Sequence, residues 1–129
     1  MNTDILGKGL AYPLRTNTRG GLQIARSEQK VRESILMILG TQQGERLMRP
    51  NFGCNLKRLA FAPNNAATAN LARYYVEEGL TMWEPRIVLD EVVVENDNQQ
   101  ACLLIHIRYR LKTTYAAYSL VYPFYLQQS

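Results

Sequence analysis

Two groupings of acid and base stand out in this sequence, Glu45-Arg46 and Glu84-Pro85-Arg86. A pair of glutamates can act as acid and base on a glycosidic bond when held about 5–9 Å apart on either side of it. Nothing in the spacing of these two imposes that geometry. Each also has an arginine next to it or two positions away, whereas a general acid must hold its proton. In the second grouping a rigid proline separates acid from base, where helical sequence gives way to extended sequence at Trp83-Glu84-Pro85-Arg86-Ile87. Such a junction suits docking to another macromolecule better than turnover of a small one. Structural or interface salt links are the favoured reading of both groupings, ahead of plain solvated charge and of catalysis.

Other reactive residues lack company. His106 is the single histidine and falls on the polar side of an alternating segment, where a satisfied surface histidine is expected rather than a metal ligand or triad member. Ser34 and Ser119 lack the surroundings of a nucleophile elbow. Gly7-x-Gly9 and Gly20-Gly21 follow no strand, so nucleotide binding has no support. Cys54 and Cys102 are far apart and form no CxxC motif, which leaves them as small buried hydrophobes in a reducing compartment. No metal or cofactor is expected.

At 129 residues and 47% hydrophobic composition the chain is long enough for one domain with a core of its own. Its opening, MNTDILGKGLAYPL, has no signal-peptide pattern, and no uncharged apolar run approaches transmembrane length, so synthesis in the cytoplasm is the expectation. The net charge of +4 is unevenly spread: Glu84 to Asp97 holds five acids against one arginine, whereas Asn98 to Ser129 has no acid and carries Arg108, Arg110 and Lys112. Cross-strand compensation explains that contrast more simply than a nucleic-acid surface, because lysines and arginines are otherwise scattered.

The elements that must position these residues read as follows. Residues 1–26, rich in glycine, form an irregular arm with room for one short strand. Ser27 caps a helix whose first turn holds Glu28, whose core face is Val31, Ile35, Ile38 and Leu39, and which ends at Gly40. A polar loop pinned by Leu47, Met48 and Phe52 leads to a two-turn helix over Leu56, Leu59, Ala60 and Phe61. Pro63-Asn64-Asn65 then caps a third helix, with Leu71, Tyr75 and Met82 beside Ala72 and Val76 on its apolar side. Gly79 there signals close packing or an early end, and Pro85 stops the helix by Trp83. A strand over Ile87–Val94, bulged near Asp90-Glu91 so that Leu89, Val92 and Val94 share the covered face, precedes a turn at 95–99. In the next strand Leu103, Ile105, Ile107, Tyr109 and Leu111 face the core, and Leu104, His106, Arg108, Arg110 and Lys112 face away. The run Tyr118–Leu126 forms a last strand or tail, which Pro123 confines to a sheet edge or beyond it. Its aromatics need cover from the chain's own helices or from a partner.

An ordered set of motifs resembles the sheath-initiator family of contractile tails, the gp25-like baseplate-wedge proteins historically called lysozyme-like. The motifs are Val31-Arg32-Glu33-Ser34-Ile35, Gly40-Thr41, Gly44 to Cys54, Phe61-Ala62-Pro63-Asn64, Trp83 to Ile87 and Leu120 to Leu126. The likeness spans nearly the whole chain. Gly7-Lys8-Gly9-x-Ala11-Tyr12-Pro13 and Tyr122-Pro123-Phe124-Tyr125-Leu126 are most similar to members from phage-tail-like extracellular contractile injection systems.

The resemblance implies an α+β fold: a small, mostly antiparallel sheet on about three helices, akin to the conserved inner domain of contractile sheath subunits, with residues 27–129 as the domain behind the arm. It implies one copy for each of six sheath strands, in the baseplate of a contractile tail or phage-tail-like particle, with a phage, a released particle and a membrane-held system all open. Glu84, Pro85 and Arg86 would plug against the core bundle of the larger wedge proteins, with Glu45, Arg46 and Arg49 supporting the loop or interface. Arg108, Arg110, Lys112, Leu120, Val121, Tyr122, Phe124 and Tyr125 would face extended arms of the first sheath ring, with inner tube or hub proteins nearby. The role so implied is assembly without catalysis, without a small-molecule substrate and without direct nucleic-acid contact. A peptidoglycan-acting muramidase and a basic nucleic-acid-binding module stand as the alternatives.

Overall fold

A computed structural model describes residues 18–44 and 52–127. Helix α1 (Thr18–Gly40) and helix α2 (Ala66–Trp83), with a 3-10 turn at Leu56–Leu59 between them, pack on one face of three strands: β1 (Ile87–Asp97), β2 (Cys102–Leu111) and β3 (Ala117–Tyr125). The strands form an antiparallel meander in the order β1-β2-β3, so β2 is central and the fold is α+β.

Helix α1 starts nine residues before the expected cap at Ser27 and takes in Gly20 and Gly21, which sequence reading assigned to an irregular arm. Leu22, Gln23, Ala25 and Arg26 include good helix formers, and once packing at Val31 and Ile35 has nucleated the helix, extending it costs little. Two glycines weaken such an extension without stopping it. Glu28 is therefore an interior residue of the helix and does not serve its first turn. The expected second helix is only the 3-10 turn, and Phe61, assigned to its apolar set, is 70% exposed. Residues 1–17, 45–51, 128 and 129 lie outside the described residues, and with them Glu45, Arg46, Leu47, Met48 and Arg49.

Helix α2 begins as expected, with Asn65 Oδ1 accepting the Thr68 amide at 3.0 Å. Its buried face is Ala69, Ala72, Val76, Gly79 and Leu80, whereas Leu71 and Met82 are 45% and 59% exposed. Small residues let the helix sit close, so Leu71 and Met82, expected inside, end up outside, while Tyr75 packs half-buried against the core as expected. A Cβ on Gly79 would stand 2.7 Å from Cys54 Cβ, which makes close packing the reason for that glycine. Gly53 has φ +110° and would drive a Cβ into the Thr41 carbonyl.

The inward face of β2 is as the alternation predicts: Leu103, Ile105, Ile107 and Tyr109 are fully buried and Leu111 nearly so. The register of β1 slips between Leu89 and Glu91, placing the bulge at Asp90, with Ile87, Leu89, Val92 and Val94 turned to the core. On β3, Tyr118, Leu120, Tyr122 and Phe124 point inward onto the same core, and Val121 and Tyr125 point out. Much of the aromatic run is thus covered by the protein's own helices.

Candidate protein-docking site

Pro85 cannot follow a helical residue without a clash, so Glu84 leaves α2 at φ −124°, ψ 79° while its amide still bonds to Leu80 O at 2.9 Å. The turn directs the Glu84 side chain inward, where it is 1% exposed, and brings Arg86 over it. Arg86 Nε donates to Glu84 Oε2 at 2.7 Å and Nη2 to Oε1 at 3.2 Å. The Arg86 side chain remains 51% exposed, and Pro85 is exposed beside it. Hydrogen bonding to Glu84 holds the Arg86 guanidinium above its ordinary range. Only Pro85 and Arg86 are therefore presented at the surface. The acid, expected to be displayed with them, is the buried anchor that orients the arginine. Phe52, the first described residue after Gly44, packs on Trp83 beside this junction at a ring separation of 5.2 Å.

The outward face of the sheet carries a ladder of opposite charges. Arg110 donates from Nε and Nη2 to Asp90 at 2.8–3.1 Å, Arg108 pairs with Glu91 at 2.8 Å, and His106 meets Glu95 at 3.2 Å. The hydrogen bond from Arg110 lowers the Asp90 carboxyl below its usual range. Each basic rung of β2 leans on an acid of β1, so compensation rather than a phosphate track accounts for the uneven charge. Arg108 and Arg110 also lie on the central strand, whose backbone has a neighbour on both sides, and Lys112 lies just past its end. They can offer side chains to a partner strand, while any open backbone must come from another strand.

The strand edges decide where backbone is open. Leu111 N bonds to Ala116 O at 3.1 Å and Leu126 N to Ala101 O at 2.8 Å. Antiparallel alternation then turns residues 118, 120, 122 and 124 of β3 toward β2, and 117, 119, 121, 123 and 125 away from it. Pro123, with no N–H to give, sits in the outward set, as an edge strand requires. Among the described residues no strand pairs with that side. The other edge is guarded: β1 is bulged at Asp90, and its end is tied to the α2 cap by Asn64 Nδ2 to Asp97 O at 3.0 Å and Asn96 Nδ2 to Asn64 Oδ1 at 2.7 Å.

Sequence reading missed a second buried carboxylate. Glu28 Oε2 accepts from Tyr109 Oη at 2.9 Å and from Arg32 Nε at 3.2 Å, joining α1 to the central strand. Burial first, and then the adjacent carboxylate, push the Tyr109 hydroxyl far above its ordinary range. The one available signal was Glu28 lying three residues before Val31, on the core stripe of α1.

Burial also raises both thiols, Cys54 and Cys102. Among the described residues no group of three or more His, Cys, Asp or Glu side chains could hold a metal, and no helix is long and apolar enough to cross a membrane. A groove along α2 does contain carboxylates, Glu77 and Glu78, but they are consecutive on one helix and cannot flank a bond from two sides.

Residues 25–116 match the family model of the baseplate wedge protein gp25. The chain belongs to the gp25 baseplate wedge family. A crystal structure of a candidate tail lysozyme from Geobacter sulfurreducens is 44% identical to this gp25-family chain, covers 80% of it and 94% of its own length, and superposes with a TM-score of 0.74. A chain of the anti-feeding prophage (AFP) baseplate is 19% identical over 76% of this chain and 68% of that one, with a TM-score of 0.52, a likeness of fold alone. No curated protein matches the gp25-family sequence.

Proposed function

We propose that this gp25-family chain is a noncatalytic wedge component that starts the sheath of a contractile tail. Pro85 and Arg86 dock on the larger wedge proteins, with Glu84 holding Arg86 in place and Glu45, Arg46 and Arg49 supporting the interface. The outward edge of β3 accepts extended arms of the first sheath ring. Six copies, one per sheath strand, would template the ring, assembled in the cytoplasm beside the tube and hub before the particle is released or held. The observation that carries this reading is the asymmetry of the sheet: one edge is bulged and tied, while the other turns outward the N–H groups of Ala117, Ser119, Val121 and Tyr125 and their C=O groups, of which that of Ser119 takes one long contact from Arg32. Strand addition uses such groups for affinity and the alternating side chains for register.

Proline substitution separates this role from folding. Ser119→Pro and Val121→Pro each remove an outward N–H and leave the β2–β3 ladder intact, so the protein should stay folded and fail to nucleate sheath subunits. Leu120→Pro removes an inward N–H, and with it a β2–β3 ladder hydrogen bond, and should destabilise the fold itself. Normal sheath growth on folded Ser119→Pro and Val121→Pro proteins would refute the edge as the acceptor.

A further inference from the structure

The open edge of β3 has a floor. Arg32 of α1 reaches Ser119 O through Nη2 at 3.5 Å while its Nε stays on Glu28 at 3.2 Å, and Ser119 is one of the outward residues. One turn on, Leu36 is 38% exposed, and a further turn on, a Cβ at Gly40 would stand 4.0 Å from the Tyr122 hydroxyl. Positions 32, 36 and 40 form one stripe of the helix. Its ends meet β3 at Ser119 and Tyr122, and Leu36 lies between those two positions along the helix.

A helix rises about 1.5 Å per residue, so Arg32 and Leu36 are about 6 Å apart along α1. A strand rises about 3.3 Å per residue, so the same span is two residues, the repeat of side chains on one face. An arriving strand would direct one face of side chains onto this stripe.

We infer that the β3 edge selects an extended polypeptide segment bearing a carboxylate and, two residues away on the same face, a large aliphatic side chain. The carboxylate takes the Arg32 guanidinium by charge-assisted hydrogen bonds, which releases the long contact to Ser119 O for a backbone N–H of the arriving strand. The aliphatic group covers Leu36. This rests on the strand-addition reading and adds what the strand must carry.

Two synthetic peptides as long as the 9 residues of β3, differing only in Glu-x-Leu against Lys-x-Leu, test it on the full unmodified chain. Affinity is read by fluorescence anisotropy, and strand addition by hydrogen exchange at the Ala117, Ser119, Val121 and Tyr125 amides. The Glu peptide should bind roughly tenfold tighter, with a margin that shrinks in high salt and in Arg32→Gln protein. Equal affinity with all four amides protected would overturn the selectivity and leave strand addition standing. If neither peptide protects the amides, strand addition itself fails and this inference falls with it.

Discussion

Arg86 and Arg32 solve the same problem in two places: each reaches from the surface to a glutamate that water barely touches. The Glu84 and Glu28 side chains are 1% and 6% exposed, against 51% and 32% for their arginines. Removing a partner from such a pair costs more than the pair is worth, because a desolvated carboxylate stays behind. Half-exposure of Arg86 tempers that cost. Arg86→Ala should therefore lower stability by about 1–2 kcal/mol in urea unfolding, and Glu84→Gln combined with Arg86→Ala should cost less than the two single changes summed. Additive losses would show that the two side chains act independently. Tyr109→Phe strips Glu28 of one donor and should cost about 1.5–3 kcal/mol near neutral pH. The same tyrosine has a signature in alkali. Its folded pKa lies above the unfolded value of about 10, so its contribution is complete below pH 10 and declines as pH rises toward the folded pKa, because the unfolded chain alone releases the proton. Stability measured from pH 9 upward should fall less steeply in Tyr109→Phe, with Tyr122, also raised by burial, accounting for part of the remaining slope.

At the scale of elements, the contact of α2 with the Cys54 segment carries the tightest tolerance. Alanine normally favours a helix interior over glycine by about 1 kcal/mol. At position 79 the added methyl would meet Cys54 Cβ at 2.7 Å, an atom fixed to backbone that no rotamer can move. Gly79→Ala should therefore destabilise by roughly 1–3 kcal/mol despite the better propensity, and Cys54→Ala should not rescue it because the Cβ persists. A thermal melt of the single and double variants decides this, and an unchanged or higher Tm for Gly79→Ala would show that α2 can shift. The strands divide their labour in a similar way. β2 is enclosed by neighbours and supplies core on one face and paired charge on the other, while β3 keeps one side of its backbone open at the cost of needing a partner.

At the scale of the whole molecule, the described residues bear on the choice between assembly and hydrolysis through Glu84. Both oxygens of Glu84 receive N–H groups from Arg86, so neither is left facing a sugar oxygen. Purified protein should not clear peptidoglycan, and sustained clearing that Glu84→Gln abolishes would restore the muramidase alternative. The alternation of β2, the bulge at Asp90, the Asn65 cap, the stop at Pro85 and the edge placement of Pro123 were all legible in the sequence. Each follows from a constraint acting within a few residues: side-chain period, lone-pair reach or a missing N–H. The start of α1 and the exposure of Leu71 and Met82 were not legible, because propensity and hydrophobicity do not say which face meets a neighbour. Nor could the chain's order of residues reveal that Glu84 turns inward, which acid of β1 each of Arg108 and Arg110 would meet, or that Tyr109 finds Glu28, 81 positions away. Those partnerships come from strand register and helix placement, which pair atoms through space, and only the tertiary structure decided them.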